Sequence, residues 1–244
     1  MIKNSNGSGK IEMLIINSDS QGVGHFRSIW PAQQLKRQYG NQVNIKVTNN
    51  PNLDLDFLSK YDIIHFHRNL GSYENSEVLF GQLRERGVTL ICDIDDYWNP
   101  PSTHPLYSVI KNDKMDEKIK RNLELADYIT TTTNIFAEKI RKEIKDSKVY
   151  VIPNAVNMND KMWRSEVEEN PTDKVRIAWI GGSSHLHDLK LLEPSFTKLN
   201  TSALLKDKYQ VVLCGFDIRG TMTEIMPDGQ KNVRKIKPHE SVWV

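Results

Sequence analysis

The sequence is short of cysteine, of net charge and of long apolar runs, and each shortage excludes a class of protein. Its two cysteines, Cys92 and Cys214, each close an apolar run ("VTLIC", "VVLC"). That placement suits small core residues and argues against a disulfide framework or a zinc site. With 33 Lys and Arg against 31 Asp and Glu, the formal charge is +2 and the basic residues are scattered. No basic face of the kind nucleic acid requires is predicted. No apolar run approaches the roughly 20 residues of a membrane span, and the N-terminus lacks the basic-then-apolar order of a secretory signal. A cytoplasmic location and no transmembrane segment are therefore expected. The polar opening "MIKNSNGSGK", residues 1–10, reads as a flexible lead-in. Its "GSGK" is not a phosphate-binding P-loop, which needs four residues between the glycines and a Ser or Thr after the lysine.

What is present is a recurrence of short Ile-, Val- and Leu-rich runs: "IEMLIIN", "VNIKVT", "DIIHFH", "VTLIC", "YITTT", "VYVIP", "VRIAWI" and "YQVVLCG". Runs of this length suit strands covered on both faces, and their alternation with helical segments predicts an α/β protein with parallel sheets. Ile29, Ala32, Leu35 and Tyr39 share a helical face, as do Met115, Ile119 and Ala126, and Phe136, Ile140 and Ile144. Pro31 is compatible with the first of these helices if it lies in the opening turn. Pro194 is expected to split the helical pattern Leu189, Leu192, Phe196, Leu199 into two pieces. The polar stretch 159–173 reads as a linker, after which the strand and glycine-turn pattern restarts. The expected organisation is a Rossmann-like domain over 11–158 and a second, incomplete one over 174–244.

Four stretches carry residues suited to chemistry. The first, "NSDSQGVGHFRSIWP", follows the first strand. Gly22 and Gly24 would let backbone approach a ligand, and a helix N-terminus there would attract phosphate. Arg27 stands where a dinucleotide fingerprint would have its third glycine, which disfavours a nicotinamide-dependent oxidoreductase. A loop that merely turns the chain is the plainer alternative. In the second, "CDIDDYWNPPSTHPLY", Asp93, Asp95, Asp96 and His104 follow a strand whose carboxyl end faces the usual ligand crevice. Asp93 and Asp95 could hold a hard cation, but no third ligand is in view, and Asp95 and Asp96 could equally cap the loop. In the third, His65, His67 and Arg68 lie on "IIHFHRN" and His185 and His187 on "SSHLHD"; no complete metal-ligand spacing appears, so His67 and Arg68 are read as cleft-lining. In the fourth, Gly181, Gly182, Ser183 and Ser184 form a small-residue turn able to hold phosphate, and "VVLCGFDIRG" brings Gly215, Asp217 and Arg219 to the same edge.

Together, "GVGHFRSIWPAQQL", "YDIIHFHRN", "DIDDYW" with "HPLY", "ADYITTTTNIFAEKI", "VYVIPNAVN" and "WIGGSSHLHDLKLL" resemble glycosyltransferases of the GT-B fold, in particular the retaining family-four-like group. The resemblance implies two facing Rossmann-like domains, the first holding a carbohydrate or other hydroxyl acceptor and the second most of a nucleotide-sugar donor. It implies that Gly22, Gly24, Gly181, Gly182, Ser183 and Arg219 contact the donor. His104 would stand near the reacting sugar, with Asp95 and Asp96 shaping the acceptor site. No bound metal or cofactor is implied beyond the nucleotide-sugar co-substrate. Fewer residues follow Val175 than the hundred or so of a complete domain, so truncation is expected, with self-association or a partner chain to cover the incomplete sheet. A non-catalytic sugar- or nucleotide-binding module and a sugar-nucleotide epimerase are the alternatives.

Overall fold

The computed structural model describes residues 9–19, 22–70, 76–104, 106–159, 172–181, 189–214, 221–225 and 230–235. The chain divides into two compact units, residues 1–103 with 107–165, and residues 104–106 with 166–244.

The first unit is built on strands β1 (Ile11–Ile16), β2 (Val43–Thr48), β3 (Ile63–His67), β4 (Thr89–Ile94), β5 (Tyr128–Thr131) and β6 (Val149–Val151). They form one sheet in the order β2-β1-β3-β4-β5-β6, parallel throughout. Side-chain alternation sends Leu14 and Ile16 into one core with Ile64, Phe66, Leu90 and Ile94, while Ile15 joins Ala32 and Ile45 in a smaller core on other side chains of the same strands. The larger core is closed by α4 (Ser76–Glu85), α6 (Met115–Leu125) and α7 (Asn134–Glu143). These helices present Phe80 and Leu83, Ile119 and Leu123, and Ala137 and Ile140 at helical spacing. Shorter helices α3 (Leu55–Leu58) and α5 (Tyr107–Asn112) complete the unit.

The helix after β1 departs from expectation. It begins at α1 (Gly22–Gly24), passes through a π-helical turn (His25–Ile29) and continues as α2 (Trp30–Tyr39), so Pro31 lies well inside one helical stretch. A proline lacks an N–H and crowds the carbonyl four residues back. Widening the preceding turn, where the Trp30 N–H reaches the His25 carbonyl, lets the helix absorb it.

At the amino edge of the sheet two aspartates clamp neighbouring strands. Asp62 accepts the Glu12 N–H through Oδ2 at 2.8 Å. Asp127 accepts the Leu90 N–H at 2.8 Å and, through its other oxygen, Arg84 Nε at 2.8 Å.

In the second unit, β7 (Val175–Ile180) and β8 (Tyr209–Cys214) pair in parallel, and α8 (Glu193–Thr201) lies between them in sequence. Leu189 and Lys190 are helical, the break falls ahead of Glu193, and Pro194 occupies the first turn of α8, where its missing N–H costs nothing. Strands β9 (Thr221–Ile225) and β10 (Lys231–Lys235) form an antiparallel pair that falls outside the apolar runs of the sequence. Among the described residues, every buried one belongs to the first unit. The fold is α/β: a six-stranded parallel sheet and a second, small parallel sheet.

Candidate functional site

Strand order reverses beside β1: the chain leaves β1 for β2 on one side, then returns past it to β3 on the other. Loops leaving the carboxyl ends of such strands diverge and open a crevice. A hollow of about 400 Å3 lies there, lined by Asn17 and Ser18 after β1, Asn49 and Asn50 after β2, and His67 and Asn69 at the end of β3.

The loop after β1 is held from within. Asn17 Nδ2 donates to the Asp19 carbonyl, and an Asp19 carboxylate oxygen accepts the Gly24 N–H at 3.1 Å. Gly24 is required here, because a Cβ would stand 1.9 Å from the Asp19 carbonyl oxygen. Gly22 is not constrained in that way; its nearest neighbour to an added Cβ is 3.9 Å off.

His67 is buried and bridges two side chains. Its Nδ1 lies 2.8 Å from Ser18 Oγ and its Nε2 2.8 Å from Asp95 Oδ1. Arg68 Nη2 donates to the same Asp95 oxygen at 2.7 Å and to Asp96 Oδ2 at 2.8 Å. Burial alone would raise the Asp95 pKa. The His67 hydrogen bond and the Arg68 charge outweigh it and hold the carboxyl well below the usual carboxylate range. Burial likewise works to lower the Arg68 pKa, but Asp95 and Asp96 reverse the balance and raise it. Arg68 reaches both acids from a left-handed backbone, φ 60°. Its N–H bonds the Asp93 carbonyl at 2.9 Å, and its own carbonyl accepts from the buried Asn122 side chain on α6 at 3.0 Å.

Beneath this layer lies a second ion pair. Arg27, from the π-helical turn, donates Nε to Asp93 Oδ2 at 3.0 Å and Nη2 to Asp93 Oδ1 at 2.6 Å, with both side chains almost fully buried. Thr130 Oγ1 adds a bond of 2.6 Å to Asp93 Oδ1, and Arg27 Nη1 donates to the Ile152 carbonyl. His65 stands 3.3 Å from Thr130 Oγ1. Burial lowers its pKa, Asp93 opposes that, and Arg27 and His67 reinforce it, so the ring is neutral near pH 7.

Of the residues singled out in the sequence, His67, Arg68, Asp95 and Asp96 are joined in one cluster, with Gly22 and Gly24 in the adjoining loop and helix start. Asp93 is committed to Arg27 and Thr130, and Asp95 and Asp96 bond side chains rather than capping their own loop. His104 falls in the second unit, where its Nδ1 accepts the Leu106 N–H at 3.1 Å. Gly181 is tight against the Trp179 ring, 2.5 Å from a built Cβ. Gly182, Ser183, Arg219, His185, His187, Gly215 and Asp217 lie outside the described residues. Ser18, Asn122 and the Arg27–Asp93 pairing were not found from sequence. The available signal was an aspartate at the end of an apolar strand, which needs a cationic partner.

No protein-family model matches the chain, and no curated protein matches it. Among solved structures, that of Phytolacca americana UGT2 complexed with UDP-2fluoro-glucose and pterostilbene aligns with a TM-score of 0.38 and 10% identity, over 84% of this chain and 71% of the other. A likeness this distant carries no weight in assigning an activity.

Proposed function

We propose that the chain is a nucleotide-sugar-dependent glycosyltransferase of the GT-B type, acting on a hydroxyl acceptor with retention, and that residues 11–158 form its acceptor domain and 174–244 part of its donor domain. The observation that carries this reading is the convergence of Ser18, His67, Arg68, Asp95 and Asp96 at the carboxyl edge of a parallel sheet, beside the reversal of strand order. In that cluster Arg68 is matched by Asp95 and Asp96, and Arg27 by Asp93. Among the described residues of the cluster no cation is left over for a diphosphate, so this edge suits a neutral hydroxyl-bearing acceptor. His67 and Arg68 line the acceptor cleft and Asp95 and Asp96 hold them in place. The donor falls to Gly181, Gly182, Ser183 and Arg219, with His104 near the reacting sugar. A donor contact at Gly24 would require the Asp19 carboxylate to give up the Gly24 N–H. Charge that builds on the leaving diphosphate would be met by N–H donors and basic side chains.

Ligand-observed NMR of the chain against UDP-, GDP-, ADP-, CMP- and dTDP-sugars tests the reading, followed by an assay for released nucleoside diphosphate. One donor bound and turned over supports it, and the anomeric configuration of the product reads the stereochemistry. Binding without turnover favours the non-catalytic module, and no binding by any of the five counts against the glycosyltransferase reading.

A further inference from the structure

We propose that Ser18 is an activated nucleophile, with His67 as its base and Asp95 as the group that orients the base, and that it accepts an acyl group from a neutral carboxylic ester bound in the hollow at the ends of β1, β2 and β3. Serine, histidine and aspartate are linked in sequence by two contacts of 2.8 Å each. The arrangement is recognised by geometry and role rather than by position in the chain. Ser18 is exposed while His67 behind it is buried, so the hydroxyl is the member of the trio that a ligand can reach.

The direction of the proton follows from the contacts. Asp95 is ionised and accepts, so Nε2 carries a proton and, in the neutral ring, Nδ1 is the acceptor. Ser18 Oγ also lies 3.1 Å from Asp19 Oδ2. If its proton turned that way, lone pairs on Oγ and Nδ1 would face each other at 2.8 Å, so the hydroxyl donates to His67. Arg68 shares the Asp95 oxygen and so fixes the carboxylate that orients the ring.

The lining decides the substrate class. Asn49 and Asn50, exposed at the hollow, offer carboxamide donors to an oxyanion. Among the described residues, the hollow is lined without Lys or Arg, so it favours a neutral ester over a phosphate. In the step proposed, the Ser18 Oγ–acyl carbon bond forms and the carbon–alkoxy bond breaks. The Oγ proton passes to His67 Nδ1 and from there to the departing alkoxide. Water then releases the acid by the same path, and no further reactant is needed. This activity does not depend on glycosyl transfer.

The experiment is labelling of the full chain with a fluorophosphonate, located by peptide mass spectrometry, together with hydrolysis of p-nitrophenyl acetate. Ser59, a half-buried serine with its hydroxyl on the Asp56 carbonyl, is the internal reference. Ser18 is expected to label at least about 100-fold faster than Ser59, the scale of general-base assistance. Ser18→Ala should remove both the label at that peptide and the esterase activity, and His67→Gln should slow both about 100-fold with an unchanged melting temperature. Labelling of Ser18 at the rate of Ser59 overturns the proposal, and this holds even if the His67 variant does not fold. A folded His67→Gln protein that labels like the parent overturns it as well.

Discussion

Replacing Arg27 with methionine isolates what the buried ion pair contributes. The substitution keeps much of the aliphatic volume but removes both hydrogen bonds to Asp93, a residue 0% exposed, and the bond to the Ile152 carbonyl. Among the described residues, Asp93 then keeps only Thr130 Oγ1 as a side-chain donor, at 2.6 Å. Stranding a buried charge in this way costs about 3–5 kcal/mol. At roughly 2–4 °C per kcal/mol for a domain of this size, the first unit should melt about 6–20 °C lower. Thermal unfolding followed by circular dichroism measures the shift. The reasoning also requires that Arg27→Met combined with Asp93→Leu recover much of the loss, since no charge is then stranded. Arg27→Lys should fall between, because one ammonium cannot serve both carboxylate oxygens and the Ile152 carbonyl. An Arg27→Met protein melting within about 2 °C of the parent would refute the argument.

Gly24→Ala should lower the melting temperature sharply, since its Cβ would stand 1.9 Å from a backbone oxygen, whereas Gly22→Ala should be nearly neutral. Thr133→Ala removes the side chain that accepts the Phe136 N–H at 3.2 Å at the start of α7, and urea titration should show a loss of about 1 kcal/mol. Asp95 has a folded pKa below its unfolded value near 4, so its contribution to stability is complete above that pH and lost as pH falls toward the folded pKa. Urea midpoints measured from pH 7 down to 3 should therefore fall less steeply below about pH 4 in Asp95→Asn than in the parent. His65, with its pKa lowered by burial, binds its proton first in the unfolded chain; stability should fall as pH drops below about 6.5, and His65→Gln should lessen that fall.

The parallel sheets were legible because each strand is a short run rich in apolar or β-branched residues, and all eight runs identified as strands form them. The antiparallel pair was hidden because "TMTEI" and "KNVRK" are polar enough to pass for loop. The early start of the helix after β1 was obscured by Pro31, which reads as a helix boundary unless a π-helical turn precedes it. The cluster was half legible. His67, Arg68, Asp95 and Asp96 stand where strand ends were expected. Which side chain each would bond was not encoded locally, because Ser18 lies 49 residues from His67 and Arg27 lies 66 from Asp93. Such pairings are set by strand order, which hydrophobic periodicity does not reveal.

The clamps made by Asp62 and Asp127 sit at the opposite end of the strands from the hollow, about 16–20 Å away for strands of five or six residues. Since a slip of one residue would turn every side chain of a strand to the wrong face, these bonds protect alignment whatever loops leave the far ends of the strands. The loops at the carboxyl edge are thereby released from holding the framework together. A lineage could lengthen, shorten or exchange the segments after β1, β2 and β3 to take new ligands without re-evolving the scaffold, and loop grafting at those three points is where redesign of this protein should begin.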